Sequence, residues 1–345
     1  MAEERKIELD GLRGYAAIVV VVYHSVLSLD VTQLERVLRG AWSSLNTYEA
    51  TTKVFFKLFD GELAVTLFFV LSGTVLFRSL MREKGGGFGG IAGRFYARRF
   101  FRIYPALLAS LIACALAFAV GGREVSLRDF AENALLYDFK INGATWTINA
   151  EMIAPVFLLL AYAGYRAGRE WGLVAVIAGL TALLSLSWFE GYLFFFKVSW
   201  LSFALGALIP TRIGQTIAAM LPRWSWVVAL AAMVLLRWPL QEVAVALLVT
   251  AIYYSRADRR DAFLSHGISQ FFGKISFSIY LFNVLFLELI CDRLRQYPWA
   301  VAHPLETGIG VAILVIALTI PVAYLSWKYI EMPFNRFGHR LTGRG

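Results

Sequence analysis

Apolar residues run along this chain in long blocks, punctuated by short polar and basic segments. Ten blocks read as membrane-spanning helices, approximately 14–30, 63–81, 101–120, 149–165, 171–188, 192–210, 224–237, 239–255, 270–290 and 308–329, since a span needs about 20 mostly apolar residues. The seventh and eighth are short, and Pro239 separates them as a helical hairpin. The first block carries an arginine at its start and a histidine in its middle. Arg13 and His24 are eleven residues apart, which on a helix puts them on one face, about 16.5 Å apart along the axis. This spacing places Arg13 at one membrane surface and His24 near the midplane, with Asp10 one turn before Arg13 and within pairing reach.

Composition turns this pattern into a fold class. The 345 residues are 59% hydrophobic and 17% charged, against about 45–50% and about 25% in soluble domains. The expectation is an all-α, polytopic transmembrane bundle of about ten helices, forming a single domain over 1–345 with no appended soluble domain. The N-terminus resembles a signal peptide, but no small-x-small cleavage pattern follows Tyr23-His24-Ser25. It therefore reads as a retained first helix. The net charge of +9 would point to nucleic acid in a soluble protein; here the basic residues sit between apolar blocks and report topology instead. With the N-terminus in the cytoplasm, cytoplasmic segments hold a two-to-one excess of Lys and Arg, including Arg5, Lys84, Arg223, Arg256, Arg259, Arg260 and Arg344. An even number of spans with both termini inside fits that excess. Cys114 and Cys291 lie in or beside apolar blocks and lack metal-ligand spacing to one another.

Four further stretches hold candidate chemistry. In Arg98-Arg99-Phe100-Phe101-Arg102-Ile103-Tyr104-Pro105, Arg98 and Arg102 stand at i, i+4. They can face one partner, either as a phosphate clamp or as a positive-inside anchor. Pro105 falls near the start of its span. In Trp146-Thr147-Ile148-Asn149-Ala150-Glu151, Glu151 is a carboxylate one turn into an apolar helix. It could orient His24, accept a proton or bind sugar hydroxyls, while Trp146 suits interfacial anchoring or stacking on a sugar. Ser72-Gly73 within the second span points to close helix packing. Tyr329-Ile330-Glu331-Met332-Pro333-Phe334 ends the last span, with Pro333 as its stop and Glu331 placed to pair with the arginine cluster. Gly85-Gly86-Gly87-Phe88-Gly89-Gly90 lacks the lysine of a phosphate loop and reads as a linker. Of the four histidines, His266, His303 and His339 fall in loops or the tail. That leaves His24 as the natural general base inside the membrane.

Taken in order, these pieces resemble the acyltransferase-3 family of membrane-bound acyltransferases. The resemblance rests on Leu9-Asp10-Gly11-Leu12-Arg13-Gly14 with His24, Phe68-Phe69-Val70-Leu71-Ser72-Gly73, the arginine cluster, the Trp146–Glu151 stretch, Phe272–Asn283 and Tyr329–Phe334. Asn283 stands where the family usually has a histidine. The resemblance implies a multi-pass enzyme of the bacterial cytoplasmic (inner) membrane. It would move an acyl group, most often acetyl, from cytoplasmic acyl-CoA to a hydroxyl of a cell-surface glycan, a glycolipid or a glycosylated small molecule. On this reading His24, Arg13 and Glu151 are catalytic, and Arg13, Arg98, Arg99, Arg102 and Tyr104 hold the donor. Asp10, Trp146, Ser72 and Asn283 line the substrate path. Acyl-CoA acts as a substrate; no metal, tightly bound cofactor or nucleic acid is expected, and membrane lipid is the surrounding partner. A transporter or flippase of glycans or lipids is the alternative, which would also need spans with buried polar residues, although no internal repeat is evident.

Overall fold

Backbone polar groups in an apolar surround must be paired within their own segment, which helices achieve. The computed structural model describes residues 6–83, 85, 87–186, 191–222, 224–255 and 262–343, and among them there is no strand. The first helices are α1 (Ile7–Leu27), α2 (Val31–Arg39), α3 (Thr47–Leu58), α4 (Gly61–Met81) and α5 (Phe88–Val120). They are followed by α6 (Leu127–Ala134), α7 (Trp146–Leu184), α8 (Phe194–Leu208), α9 (Arg212–Met220), α10 (Ser225–Leu235) and α11 (Leu240–Tyr254). The chain closes with α12 (Ala262–Ser265), α13 (Gly267–Leu294), α14 (Pro298–Ala302), α15 (Pro304–Ser326), a π-helical turn (Trp327–Glu331) and α16 (Met332–Leu341).

Every apolar block falls on a helix, but the blocks do not convert one for one into spans. Six helical stretches are long and apolar enough to cross a membrane, or eight if each of two bent pairs counts as one. Two reasons account for the difference from ten. Helices α10 and α11 have 11 and 15 residues, fewer than the about 20 of a full crossing. The fourth and fifth blocks form the single element α7, which breaks at Gly168–Arg169, where Arg169 takes φ +53°. The halves of α7 fold back on each other: Gly164 and Gly172 meet backbone to backbone, whereas a straight helix would hold them about 12 Å apart. A Cβ at Gly172 would overlap the Gly164 carbonyl oxygen. Gly172→Leu is therefore expected to destabilise the hairpin by about 1–3 kcal/mol or more, read as a lower melting midpoint in detergent. An unchanged midpoint would mean that the halves are not in contact.

Other boundaries also shift. Seven of the basic residues that set the topology expectation, Arg5, Lys84, Arg223, Arg256, Arg259, Arg260 and Arg344, lie outside the described residues, as do Gly86 and positions 187–188 of the fifth block. Phe88, Gly89 and Gly90 form the first turn of α5 rather than a linker. Because α5 begins so early, Pro105 sits in its interior and not near a helix start. Pro333 does not end the last helix. The chain passes through the π turn into α16, with Pro333 as the second residue of that helix. The segment 31–62 is itself largely helical, with Asn46 and Glu49 forming a capping box at the start of α3, and α6 lies within 121–148.

The core centres on α1 and α4. Helix α1 packs on α4, α13 and α15, and α4 packs on α7 and α8. The α4–α8 crossing is close because Gly73 rests on the Phe203 carbonyl and Gly206 on the Val70 carbonyl. Thr74 donates to the Gly206 carbonyl at 3.1 Å across the same crossing. Small residues let backbones approach in this way, as the Ser72-Gly73 pair led us to expect. The start of α1, the end of α4, the start of α13 and the end of α15 share one end of the bundle, here termed the basic end.

Candidate active site

The basic residues of α1, α4, α5 and α13 converge at that end. A vestibule of about 550 Å³ is lined there by six cations, Lys6, Arg13, Arg78, Arg82, Arg102 and Lys274, and by two carboxylates, Asp10 and Glu331. Asp10 lies 3.9 Å from Arg13. Glu331 accepts a hydrogen bond from Ser278 and lies near Arg102. Among the described lining residues cations outnumber carboxylates six to two, a wall suited to anionic groups.

A second, narrower cavity of about 250 Å³ continues inward, sharing Arg13, Val75, Ser79, Arg102, Ser276, Phe277 and Asn335 with the vestibule. Its walls come from α1, α4, α5, α7, α13 and α16. Part of the wall is apolar, with Val65, Phe68, Phe69, Ile103 and Ile148. Two hydroxyls interrupt that apolar surface: Thr147 and Tyr280 lie 2.9 Å apart, and each is 3.0 Å from the Ala144 carbonyl. An aromatic cluster packs behind Phe69. Phe69 meets Trp146 edge-on at 6.0 Å, and Trp146 packs on Phe195 at 5.2 Å.

A largely buried ion pair lies in the cavity wall. Arg99, 7% exposed, is paired with the Glu151 carboxylate, and its Nη2 also lies 3.4 Å from both Ser72 Oγ and the Glu151 carbonyl oxygen. The Arg99 Nε has no hydrogen-bond partner. Arg13 and Arg102 are close enough to act on Arg99 electrostatically. Arg98 pairs with Glu83, which it shares with Arg94 at 3.4 Å. The i, i+4 pair on one carboxylate is thus Arg94 and Arg98, whereas Arg102 reaches both cavity and vestibule.

The structure therefore gathers Arg13, Ser72, Arg98, Arg99, Arg102 and Glu151 around one cavity, and Asp10 around its mouth. Four other residues singled out in the sequence lie elsewhere. Tyr104 stacks on Phe100 at 4.5 Å, and Trp146 is held among phenylalanines. Asn283 is 2% exposed and donates to the carbonyls of Ile279 and Tyr280 in its own helix. His24 stands in the last turn of α1, not at its middle, because the helix runs from Ile7 to Leu27 and then bends by 108° into α2. It lines neither the cavity nor the vestibule. Gly61 of α4 abuts Tyr23, so the Val65 level of the cavity lies about 7.5 Å short of the His24 level along the helix axes. The His24 Nδ1 is 2.9 Å from the Val20 carbonyl oxygen. A carbonyl only accepts, so neutral His24 carries its proton on Nδ1 and presents Nε2 as the basic nitrogen.

The histidine that does line the cavity is His339, with Asn335 one turn before it on α16. Their i, i+4 spacing on a helix with apolar Phe334 and Phe337 on other faces is the signal that would have found them. Arg78, Arg82 and Lys274 fall in the basic segments between apolar blocks, which the sequence reads only as topology signals, and they line the vestibule. Tyr280 had no chemistry assigned to it in the sequence, and only the packing of α13 against α7 brings it to Thr147.

Neither the curated proteins nor the solved structures compared with the chain include a match. The acyltransferase-3 family model, described as an acyltransferase domain, matches residues 6–328. That range takes in most of both linings, leaving out Glu331, Met332 and Asn335 of the vestibule and Asn335 and His339 of the cavity. The chain is a membrane protein of the acyltransferase-3 family.

Proposed function

We propose that this membrane acyltransferase moves an acyl group, acetyl by the resemblance, from acyl-CoA at the basic end to a hydroxyl of a glycan, glycolipid or glycosylated small molecule presented at the far end. The observation that carries the reading is the continuity of a polycationic vestibule with a narrower, partly apolar cavity. The phosphates of the donor match the vestibule cations, and its thioester arm matches the cavity. The basic end then faces the cytoplasm of a bacterial cell, consistent with the excess of basic residues there.

In the proposed step, Nε2 of His24 takes the proton from the acceptor hydroxyl. The hydroxyl oxygen attacks the thioester carbonyl, the carbon–sulfur bond breaks, and the departing thiolate recovers the proton from the imidazolium. In this reading the two substrates meet at His24, in the last turn of α1 on the far side of the Val65 level of the donor cavity. Arg13 and Arg102 hold donor phosphate where vestibule and cavity join. The Arg99–Glu151 pair fixes the cavity wall, and Glu151, with 20% of its side chain exposed, contributes an acceptor for an N–H or hydroxyl of the bound substrate.

The reading is tested on cells. Deleting the gene is expected to remove an increment of about 42 daltons, an acetyl in place of a hydroxyl hydrogen, from one class of surface glycan or glycosylated product analysed by mass spectrometry. Acetylation that is unchanged in every such fraction would count against an O-acetyltransferase. A transporter would instead leave the modification intact and alter only where the glycan accumulates.

A further inference from the structure

Acyl transfer drives negative charge onto the acyl carbonyl oxygen as its carbon becomes tetrahedral, and a donor already aimed at that oxygen lowers the barrier. The inner cavity holds one hydroxyl whose proton can be released for this purpose. Tyr280 of α13 lines the cavity and is 7% exposed, with its ring edge-on to Phe68 at 6.0 Å. Its hydroxyl lies 2.9 Å from Thr147 Oγ1 and 3.0 Å from the Ala144 carbonyl oxygen, and Thr147 Oγ1 is itself 3.0 Å from that carbonyl. Three contacts are thus served by two O–H protons. Thr147 can therefore keep donating to Ala144 while the Tyr280 proton turns to a new acceptor. No buried group loses its partner in that exchange, so the cost of leaving a polar atom unpaired does not arise.

The position along the bundle suits the same role. Helices α1 and α13 both start at the basic end, and Gly273 packs against Asp10 and Gly14. Counted from that contact, Tyr280 lies about 10.5 Å and His24 about 18 Å along the axes, an offset of about 7.5 Å. Tyr280 hydroxyl, acyl carbonyl, acceptor hydroxyl and His24 Nε2, set end to end at ordinary contact distances, reach about 10 Å. That length spans the offset. Resting on the reading of this cavity as the acyl site and of His24 as the base, we propose that Tyr280 is a catalytic residue that donates a hydrogen bond to the carbonyl oxygen of the transferred acyl group. Thr147 is its positioning residue. As the acceptor oxygen adds to the carbonyl carbon, the π pair moves onto the carbonyl oxygen, which accepts the Tyr280 O–H bond; the proton stays on the tyrosine. The pair then returns to re-form the carbonyl, the carbon–sulfur bond breaks, and the thiolate leaves with its electron pair to take the proton held by His24.

The test follows thiol release from acetyl-CoA by the full-length protein in nanodiscs, with surface glycan from cells lacking the gene as acceptor. Tyr280→Phe keeps the ring against Phe68 and leaves Thr147 to serve Ala144, so the melting midpoint is expected to hold. The expected kcat falls by about 10²–10³-fold, as for loss of one oxyanion donor, with KM for acetyl-CoA unchanged. A retained kcat, or a loss confined to KM, would overturn the assignment. A second replacement, Tyr280→3-fluorotyrosine, preserves shape and hydroxyl and makes that hydroxyl a stronger donor. It should raise the single-turnover rate of thiol release roughly twofold, which a purely structural tyrosine would not do; an unchanged rate overturns the proposal even if Tyr280→Phe misfolds. Wild-type protein that releases no thiol from acetyl-CoA would instead overturn the donor reading on which the proposal rests.

Discussion

His24→Ala is expected to lower acyl transfer by about 10²–10⁴-fold, the range for removal of a general base, while leaving the protein folded and able to bind acyl-CoA. The combination matters because His24 lines neither the cavity nor the vestibule. A donor-binding residue would raise KM, whereas the proposed base acts on kcat. His339→Ala is the matched control. That side chain lines the cavity beside Arg102 and Asn335, so its loss should weaken donor affinity with a much smaller effect on kcat. Thiol release from acetyl-CoA, followed continuously with purified protein and acceptor, separates the two constants. If the variants exchange these behaviours, with His339→Ala losing turnover and His24→Ala losing none, the base lies in the cavity and the assignment of His24 fails.

The second large effect concerns the Arg99–Glu151 pair. Removing one partner of a buried pair leaves a charge without compensation and commonly destabilises by about 3–5 kcal/mol, while replacing both with apolar groups is often close to neutral. Arg99→Met is therefore expected to lower the melting midpoint markedly, since it strands Glu151 in the cavity wall. The double variant Arg99→Met, Glu151→Leu should recover most of that stability without recovering acyl transfer. Midpoints and activities of the two single variants and the double variant form a cycle. A double variant that is both stable and active would show that the pair is scaffold alone.

Much of this architecture was legible in the sequence because a bilayer leaves few solutions. Apolar blocks had to become helices, and Ser72-Gly73 did mark a close crossing, at α4 and α8. What hydropathy could not supply was the direction of the chain after each block. Nothing in the period of residues 149–188 separates a long helix from a hairpin; the reversal depends on Gly168–Arg169 and on two glycines that allow backbone contact. The prolines misled in a consistent way. Pro105 and Pro333 read as boundaries, yet one lies within α5 and the other in the first turn of α16, because a π turn renews the helix just before it.

The candidate site divides along a similar line. Arg13, Ser72, Arg98, Arg99, Arg102 and Glu151 stood out as polar groups in apolar surroundings, and they line one cavity. Tyr104, two residues after Arg102, is carried about 200° around α5 and stacks on Phe100 instead. Asn283 and Trp146 are engaged by their own surroundings, the first by carbonyls of α13 and the second by phenylalanines of α4 and α8. The residues that sequence reading passed over, His339, Asn335, Tyr280 and Trp327, become site residues only through packing between distant elements. The face of an amphipathic tail helix shows in its sequence, but the partner of that face does not.

The central claim is that the acyl group leaves a donor bound at the basic end and reaches a hydroxyl at the far end. It is tested most directly in sealed proteoliposomes with the protein in one orientation. Acetyl-CoA labelled in the acetyl group is supplied on the basic side, and a glycan acceptor is enclosed on the other. Label is expected in ester linkage on the enclosed glycan, with an equal amount of free thiol on the donor side, and neither product with His24→Ala. Label that crosses while still attached to its thioester, or thiol released with no ester formed on the far side, would contradict it.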